Sequence, residues 1–131
     1  LDLAFSGEYG ADEMKAMTVK KGGLTSYLGT SDAREVERMI DDGDVEARRV
    51  YQAMAYQIAK EIGSMATVLK GAAERILLTG GLAESDLLMG WVMERVDFLA
   101  PVEIRSGIGE MKALALGALG CLLGDLEAKE Y

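Results

Sequence analysis

RILLTGGLAES, residues 75–85, is the stretch on which the reading of the chain turns. Ile76, Leu77, Leu78 and Thr79 form a short apolar run of the type buried on both faces of a parallel sheet. Two glycines follow, then polar residues suited to opening a helix near Ser85. In open parallel sheets ligands bind beyond the carboxyl ends of the strands, which is where Gly80 and Gly81 fall. Lacking Cβ, the pair lets a ligand approach the backbone, and N–H groups near Ser85 are placed to face an anion. A plain strand-to-helix turn that needs positive φ explains the same glycines with no ligand at all. The pattern is neither GxGxxG nor a Walker loop, so locally both explanations stand.

Outward from this stretch the pattern alternates. Residues 44–70 read as the longest helix, with Val50, Met54, Ile58, Ile62, Met65 and Leu69 recurring at spacings of three and four along one face. Gly71 is placed to end it. Residues 85–97 read as a helix with Leu88, Val92 and Val96 on one side, Pro101 opens a second strand over Val102 to Arg105, and 110–123 is a final helix. Towards the N-terminus, Asp32-Ala33-Arg34-Glu35 reads as a capping box, with Glu35 reaching back to the first residue, on a helix that ends at DDGD, 41–44. Residues 22–32 read as turn and extended loop, and residues 1–21 as a segment of short helical character. Helix, strand, helix, strand, helix is an α/β unit with parallel strands. Two strands make a poor parallel sheet alone, so the layout is expected to be the back half of a larger domain, and a chain that starts without Met reads as a fragment.

Composition sets limits on function. The chain has 131 residues, half of them apolar, which is enough for a core. A formal net charge of -8 argues against nucleic acid or an acidic membrane as the main partner. It leaves room for a small anion held locally. No apolar run approaches the ~20 residues of a membrane span, and LDLAFSGEYG lacks the basic flank of a secretory leader. The single Cys121 makes no internal disulfide, which suits a reducing cytoplasm. With no His in the chain, imidazole acid–base chemistry and His-ligated metals are excluded within it.

Three further features have competing explanations. Asp32 and Arg34 are accounted for as a helix cap and a solvated arginine; alternatively, the carboxylate meets ribose hydroxyls and the guanidinium sits beside a base or phosphates. Glu110, after SGIG at the start of the last helix, complements the helix dipole; alternatively, one carboxylate there suits Mg²⁺, which takes one or two protein oxygens alongside substrate phosphates. Gly117 and Gly120 are costly inside a helix and, with Ala113, form a small-residue stripe that implies close approach of another helix. Cys121 and the eight methionines read as core packing.

Four ordered blocks carry a resemblance: KGGLTSYLGTSDAREVERMI (21–40), VYQAMAYQIAKEIGSMATVLKG (50–71), ILLTGGLAES (76–85) and GEMKALALGAL (109–119). In this order they resemble the acetate kinase family, and within it the butyrate kinases, in the superfamily of acetate and sugar kinases, heat-shock chaperone ATPases and actin. The resemblance implies two duplicated ribonuclease-H-like (actin-like ATPase) domains with ATP in the cleft between them, residues 1–131 being the C-terminal part of the second. It implies that Gly80, Gly81, Leu82 and Ser85 line the nucleotide, that Asp32 and Arg34 contact adenosine, and that Glu110 is the acidic residue on the Mg²⁺ side. The helix around Gly117 corresponds to one that connects the domains and packs on the N-terminal one. Family members have Asn where this chain has Ser85. The phosphate loops and the cationic groups that stabilise phosphoryl transfer correspond to segments before residue 1.

The reaction so implied is butyrate + ATP ⇌ butyryl phosphate + ADP, with a short-chain fatty acid as partner, a cytoplasmic location and a homo-oligomer. The alternatives are a non-catalytic nucleotide-binding or assembly module of the same fold and a kinase for another short or branched-chain acid. Self-association is expected through an open edge of strand 76–79 or the Gly117 stripe.

Overall fold

The computed structural model describes residues 2–106 and 109–127; the side chains of Gly109 and Glu110 lie outside that description. Among the described residues are seven α-helices and two parallel strands, a mixed α/β arrangement. The chain divides into two compact units, Leu1–Lys60 and Glu61–Tyr131, and the longest helix runs through the division.

In the first unit the N-terminal segment forms α1 (Asp2–Phe5) and α2 (Ala11–Val19), neither with a buried residue. The stretch expected to be turn and loop contains a short helix, α3 (Leu24–Leu28), between Gly23 at φ 60° and Gly29 at φ 75°. Glycines punctuate both ends through positive φ, and LTSYL closes one helical turn between them. In α4 (Ala33–Asp41), Val36 and Ile40 stand four residues apart and are both buried. The capping box is half as expected. Asp32 accepts the backbone N–H of Arg34 at 3.0 Å, but Glu35 turns to Thr30, whose hydroxyl donates to it at 2.6 Å and accepts the Asp32 N–H at 3.1 Å. The hydroxyl stands between the carboxylate and the N–H it was expected to reach.

α4 ends in a Schellman turn. The N–H of Gly43 meets the Ile40 carbonyl at 3.0 Å and that of Asp44 meets Met39 at 2.9 Å, with Gly43 at φ 93°. Asp44 then caps α5 (Val45–Val68), accepting the Ala47 N–H at 2.9 Å. The buried line of α5 is Ala47, Tyr51, Ala55 and Ala59, not the large-residue face expected from the sequence. Val50, Met54, Ile58 and Ile62 are half-buried, while Met65 and Leu69 are exposed. Burial therefore follows the small residues that flank Tyr51 and not the bulkier row. α5 closes with a second Schellman turn, Lys70 N–H to Thr67 at 3.0 Å and Gly71 N–H to Ala66 at 2.9 Å. Two successive residues are left-handed there, Lys70 at φ 55° in the first position of the turn and the expected Gly71 at φ 76° after it.

In the second unit β1 (Ile76–Gly80) and β2 (Val102–Ser106) pair in parallel, Ile76 opposite Val102 through Gly80 opposite Ser106. β1 is not buried on both faces: Leu77 is 59 % exposed and Thr79 is exposed too. The alternation follows from a two-stranded sheet that is covered on one face only. The open face also carries Glu103, 3.3 Å from Arg75 and bonded to the Arg105 Nε at 2.7 Å; Arg105 above all, then Arg75, holds this carboxyl below its ordinary 4.5. A single 3₁₀ turn, Gly81–Glu84, leads into α6 (Asp86–Val96), which buries Leu88, Met89, Val92 and Val96.

α7 (Gly109–Leu123) exposes Met111, Leu114, Leu116, Leu119, Leu122 and Leu123. Gly120 has an internal reason to be glycine: a Cβ there would lie 2.8 Å from Leu126 Cδ1, where the chain folds back through Gly124 at φ 80°. Gly117 has no such neighbour. Core packing describes only part of the sulfur residues. Met89 is buried, but Met65, Met111 and Cys121 are exposed, because they sit on helix faces that nothing in the described chain covers. None of the described helices is long and apolar enough to cross a membrane.

Candidate functional site

Two groups of candidate residues lie in different units, and each is built by its own local geometry. In the first, Asp32 leaves the extended backbone at φ -80°, ψ 109° as the N-cap of α4. Its Oδ1 accepts the backbone N–H of Arg34 at 3.0 Å and the Arg34 Nε at 3.1 Å, and its Oδ2 accepts Nη2 at 3.0 Å. The guanidinium is therefore gripped in its own plane by both carboxylate oxygens. Hydrogen bonding from the Arg34 side chain, and then from its backbone N–H, holds the Asp32 carboxyl below its ordinary 3.8. The Arg34 side chain is nonetheless 86 % exposed. A planar cation fixed at its edge and open to solvent is suited to stacking on a purine. A carboxylate accepts about four hydrogen bonds, so Asp32 retains capacity for a ribose hydroxyl.

In the second group, Gly80 ends β1 at φ 85°, ψ -179°, a region open essentially to glycine alone. Its identity is thereby explained by backbone, because nothing lies within 4 Å of where its Cβ would stand. Gly81 is different: its φ is not positive and its Cβ position is also empty to 4 Å. Neither conformation nor crowding within the chain asks for glycine there. Leu82, also in the turn, is exposed and gives the adjoining surface an apolar patch.

Ser85 is 9 % exposed, and its Oγ accepts the Leu88 N–H at 2.9 Å as the cap of α6. The helix N-terminus thus has its own acceptor, and Asp86 occupies the first turn with Glu84 just before it. Two carboxylates and a cap already answer the helix dipole. An anion near Ser85, allowed by the sequence, is disfavoured here by like charge. The surface suits an uncharged group that lies on bare backbone and touches Leu82.

Glu110 falls in the first turn of α7, and its side chain lies outside the described residues. Among the described residues no three acidic or thiol groups converge as a metal cluster. Two participants were not legible in the pattern. Thr30 links Glu35 to the Asp32 N–H, and Tyr51, wholly buried, donates its hydroxyl to Glu37 Oε1 at 3.0 Å. The alanines at 47, 55 and 59, evenly spaced around Tyr51, were the available signal.

The acetokinase family model matches residues 4–104. The chain belongs to the acetokinase family. The matched span contains Asp32, Arg34, Gly80, Gly81, Leu82 and Ser85, whereas Glu110 and α7 fall beyond it. Within this acetokinase span, the glycine pair sits at the carboxyl end of a parallel strand, the usual ligand position of such sheets.

Proposed function

We propose that the chain is the adenosine-binding part of an ATP-dependent carboxylate kinase catalysing butyrate + ATP ⇌ butyryl phosphate + ADP. In this reading residues 1–131 are the C-terminal portion of the second ribonuclease-H-like domain of a cytoplasmic acyl kinase. The observation that carries it is the acetokinase match across 4–104, with a glycine at position 81 that the fold itself does not require.

The chemistry is an in-line transfer. A substrate carboxylate oxygen attacks the γ-phosphorus, the bond from that phosphorus to the β,γ-bridging oxygen breaks, and ADP leaves with the electron pair. The nucleophile is already an anion, so the enzyme's task is positioning and charge neutralisation. Mg²⁺, which Glu110 would help to hold, would supply neutralising charge to the phosphates. The residues of this chain orient the other end of the nucleotide. In the first unit Arg34 is suited to a base and Asp32 to a ribose hydroxyl; in the second, Gly81 and Leu82 offer a bare, partly apolar surface to an uncharged group. Ser85 acts through α6, whose first turn it fixes.

The test is a titration followed by NMR. ADP and adenosine are expected to shift the signals of Arg34, Gly80, Gly81 and Leu82 at millimolar concentration, and tripolyphosphate is not. No acyl phosphate is expected from the 131-residue chain in a hydroxamate assay. Shifts from tripolyphosphate without shifts from adenosine refute the reading, and turnover by this chain refutes its limitation to adenosine binding.

A further inference from the structure

We propose that Tyr51 is a positioning residue for the nucleotide, acting through its hydrogen bond to Glu37. The inference rests on the reading of Asp32 and Arg34 as adenosine contacts.

Those two residues stand on the first turn of a nine-residue helix. A helix that short is marginal alone, and its placement comes from packing. α4 has a narrow buried face, Val36 and Ile40, because the rest of AREVERMID is charged or half-exposed. An apolar pair one turn apart fixes the distance of a helix from its neighbour but resists sliding and rotation weakly. A directional bond supplies that constraint. The Tyr51 hydroxyl donates to Glu37 Oε1 at 3.0 Å, joining α5 to α4 across fourteen residues of sequence. Glu37 lies three positions after Arg34, on adjoining turns of one helix face. The tyrosine ring is wholly buried in the alanine line of α5, so its donor has a fixed origin. Val36 neighbours Glu37 in sequence, and the bond sets the rotation of α4 about that buried residue. The rotation in turn aims the guanidinium that Asp32 holds by two oxygens. A phenylalanine would fill the same volume, so packing alone does not call for the hydroxyl.

The experiment measures ADP affinity of the 131-residue chain by NMR titration, with thermal melts alongside. Tyr51→Phe is expected to weaken ADP by about 10-fold, the scale on which a small misplacement of a binding group is felt. Glu37→Gln keeps an acceptor for the hydroxyl and is expected to stay within about 2-fold by the same reasoning. Ala59→Gly, which lowers stability in the same helix without touching the bond, is expected to leave affinity unchanged, so that lost stability and lost positioning are separated. Arg34→Ala serves as the control on the underlying reading. If it leaves ADP affinity intact, the adenosine assignment itself is wrong. If it weakens ADP while Tyr51→Phe does not, or if Ala59→Gly weakens ADP as much as Tyr51→Phe, the positioning role is overturned.

Discussion

Replacing Gly80 and Gly81 separately by alanine is expected to give opposite results. At Gly80 the backbone sits at φ 85°, ψ -179°, where a Cβ is disfavoured whatever the free space. Strain of this kind costs of order 1–3 kcal/mol. Alanine also narrows the unfolded ensemble, which offsets about 0.4–1 kcal/mol of it. The net loss for Gly80→Ala is therefore about 1–2 kcal/mol, and a chain of this length loses roughly 3–4 °C of Tm per kcal/mol. None of this cost comes from residues beyond its chain neighbours, because no other part of the chain lies within 4 Å of the Cβ site. Gly81 shares that empty site but has no positive φ, so Gly81→Ala is expected to be neutral within about 0.5 kcal/mol. Its effect falls on the ligand: a methyl group on the bare surface lifts adenosine, and ADP affinity drops by about 10-fold. Melting curves and ADP titrations of both variants decide the matter. If Gly81→Ala destabilises as much as Gly80→Ala, the separation of the two glycines is wrong. If it is stable and binds ADP like the parent, the pair is only a turn.

Three other outcomes follow from the same geometry. Lys70 holds a left-handed position of a Schellman turn at φ 55°, where the equivalent turns use Gly43 and Gly124, so Lys70→Gly is expected to stabilise by about 1 kcal/mol in a thermal melt; an unchanged or lower Tm refutes this. The Asp32 carboxyl should titrate below 3.8, and Arg34→Ala should raise its midpoint part of the way back, since the backbone N–H at 34 remains; a carboxyl-detected NMR titration with no change rejects the assigned cause. Because the folded value is the lower one, this pairing contributes fully above 3.8 and its contribution is lost as pH falls through the depressed midpoint. The exposed leucines of α7 predict concentration-dependent self-association, weakened by Leu122→Glu, and sedimentation of a clean monomer at high concentration counts against it.

Much of the fold was legible because its signals are local. Asp32 and Ser85 announce helix starts by their side-chain oxygens, and Leu88, Val92 and Val96 mark the buried side of α6. What sequence misjudged depends on neighbours. The row from Val50 to Leu69 is the more apolar face of α5 by any scale, yet burial follows Ala47, Tyr51, Ala55 and Ala59. Periodicity gives the angle of a face but not how close another element comes, and close approach favours small residues. Likewise ILLT reads as doubly buried, although burial on both faces is a property of the sheet around a strand. Glu35 missed its expected partner because Thr30, five residues back, stood nearer.

The sequence marks candidate positions but not the charge of what they would meet. Gly80 and Gly81 are singled out by their place after an apolar run, and that reasoning allows either an anion or a neutral group. The arrangement of the turn favours the neutral group. Ser85 spends its hydroxyl on α6, and Glu84 and Asp86 flank it, so a phosphate placed there would meet two negative charges and a helix end already capped. In the first unit, conversely, Arg34 has its charge partly answered by Asp32. Neither group is equipped to hold a triphosphate, and a chain of net charge -8 offers no general attraction for one. On the proposed reading each serves an uncharged part of the nucleotide. Most of the charge of ATP must then be met by groups other than these, which is why adenosine and ADP should bind this chain with similar, weak affinity. A large advantage of ADP over adenosine would place phosphate-binding groups within these 131 residues and undo the assignment.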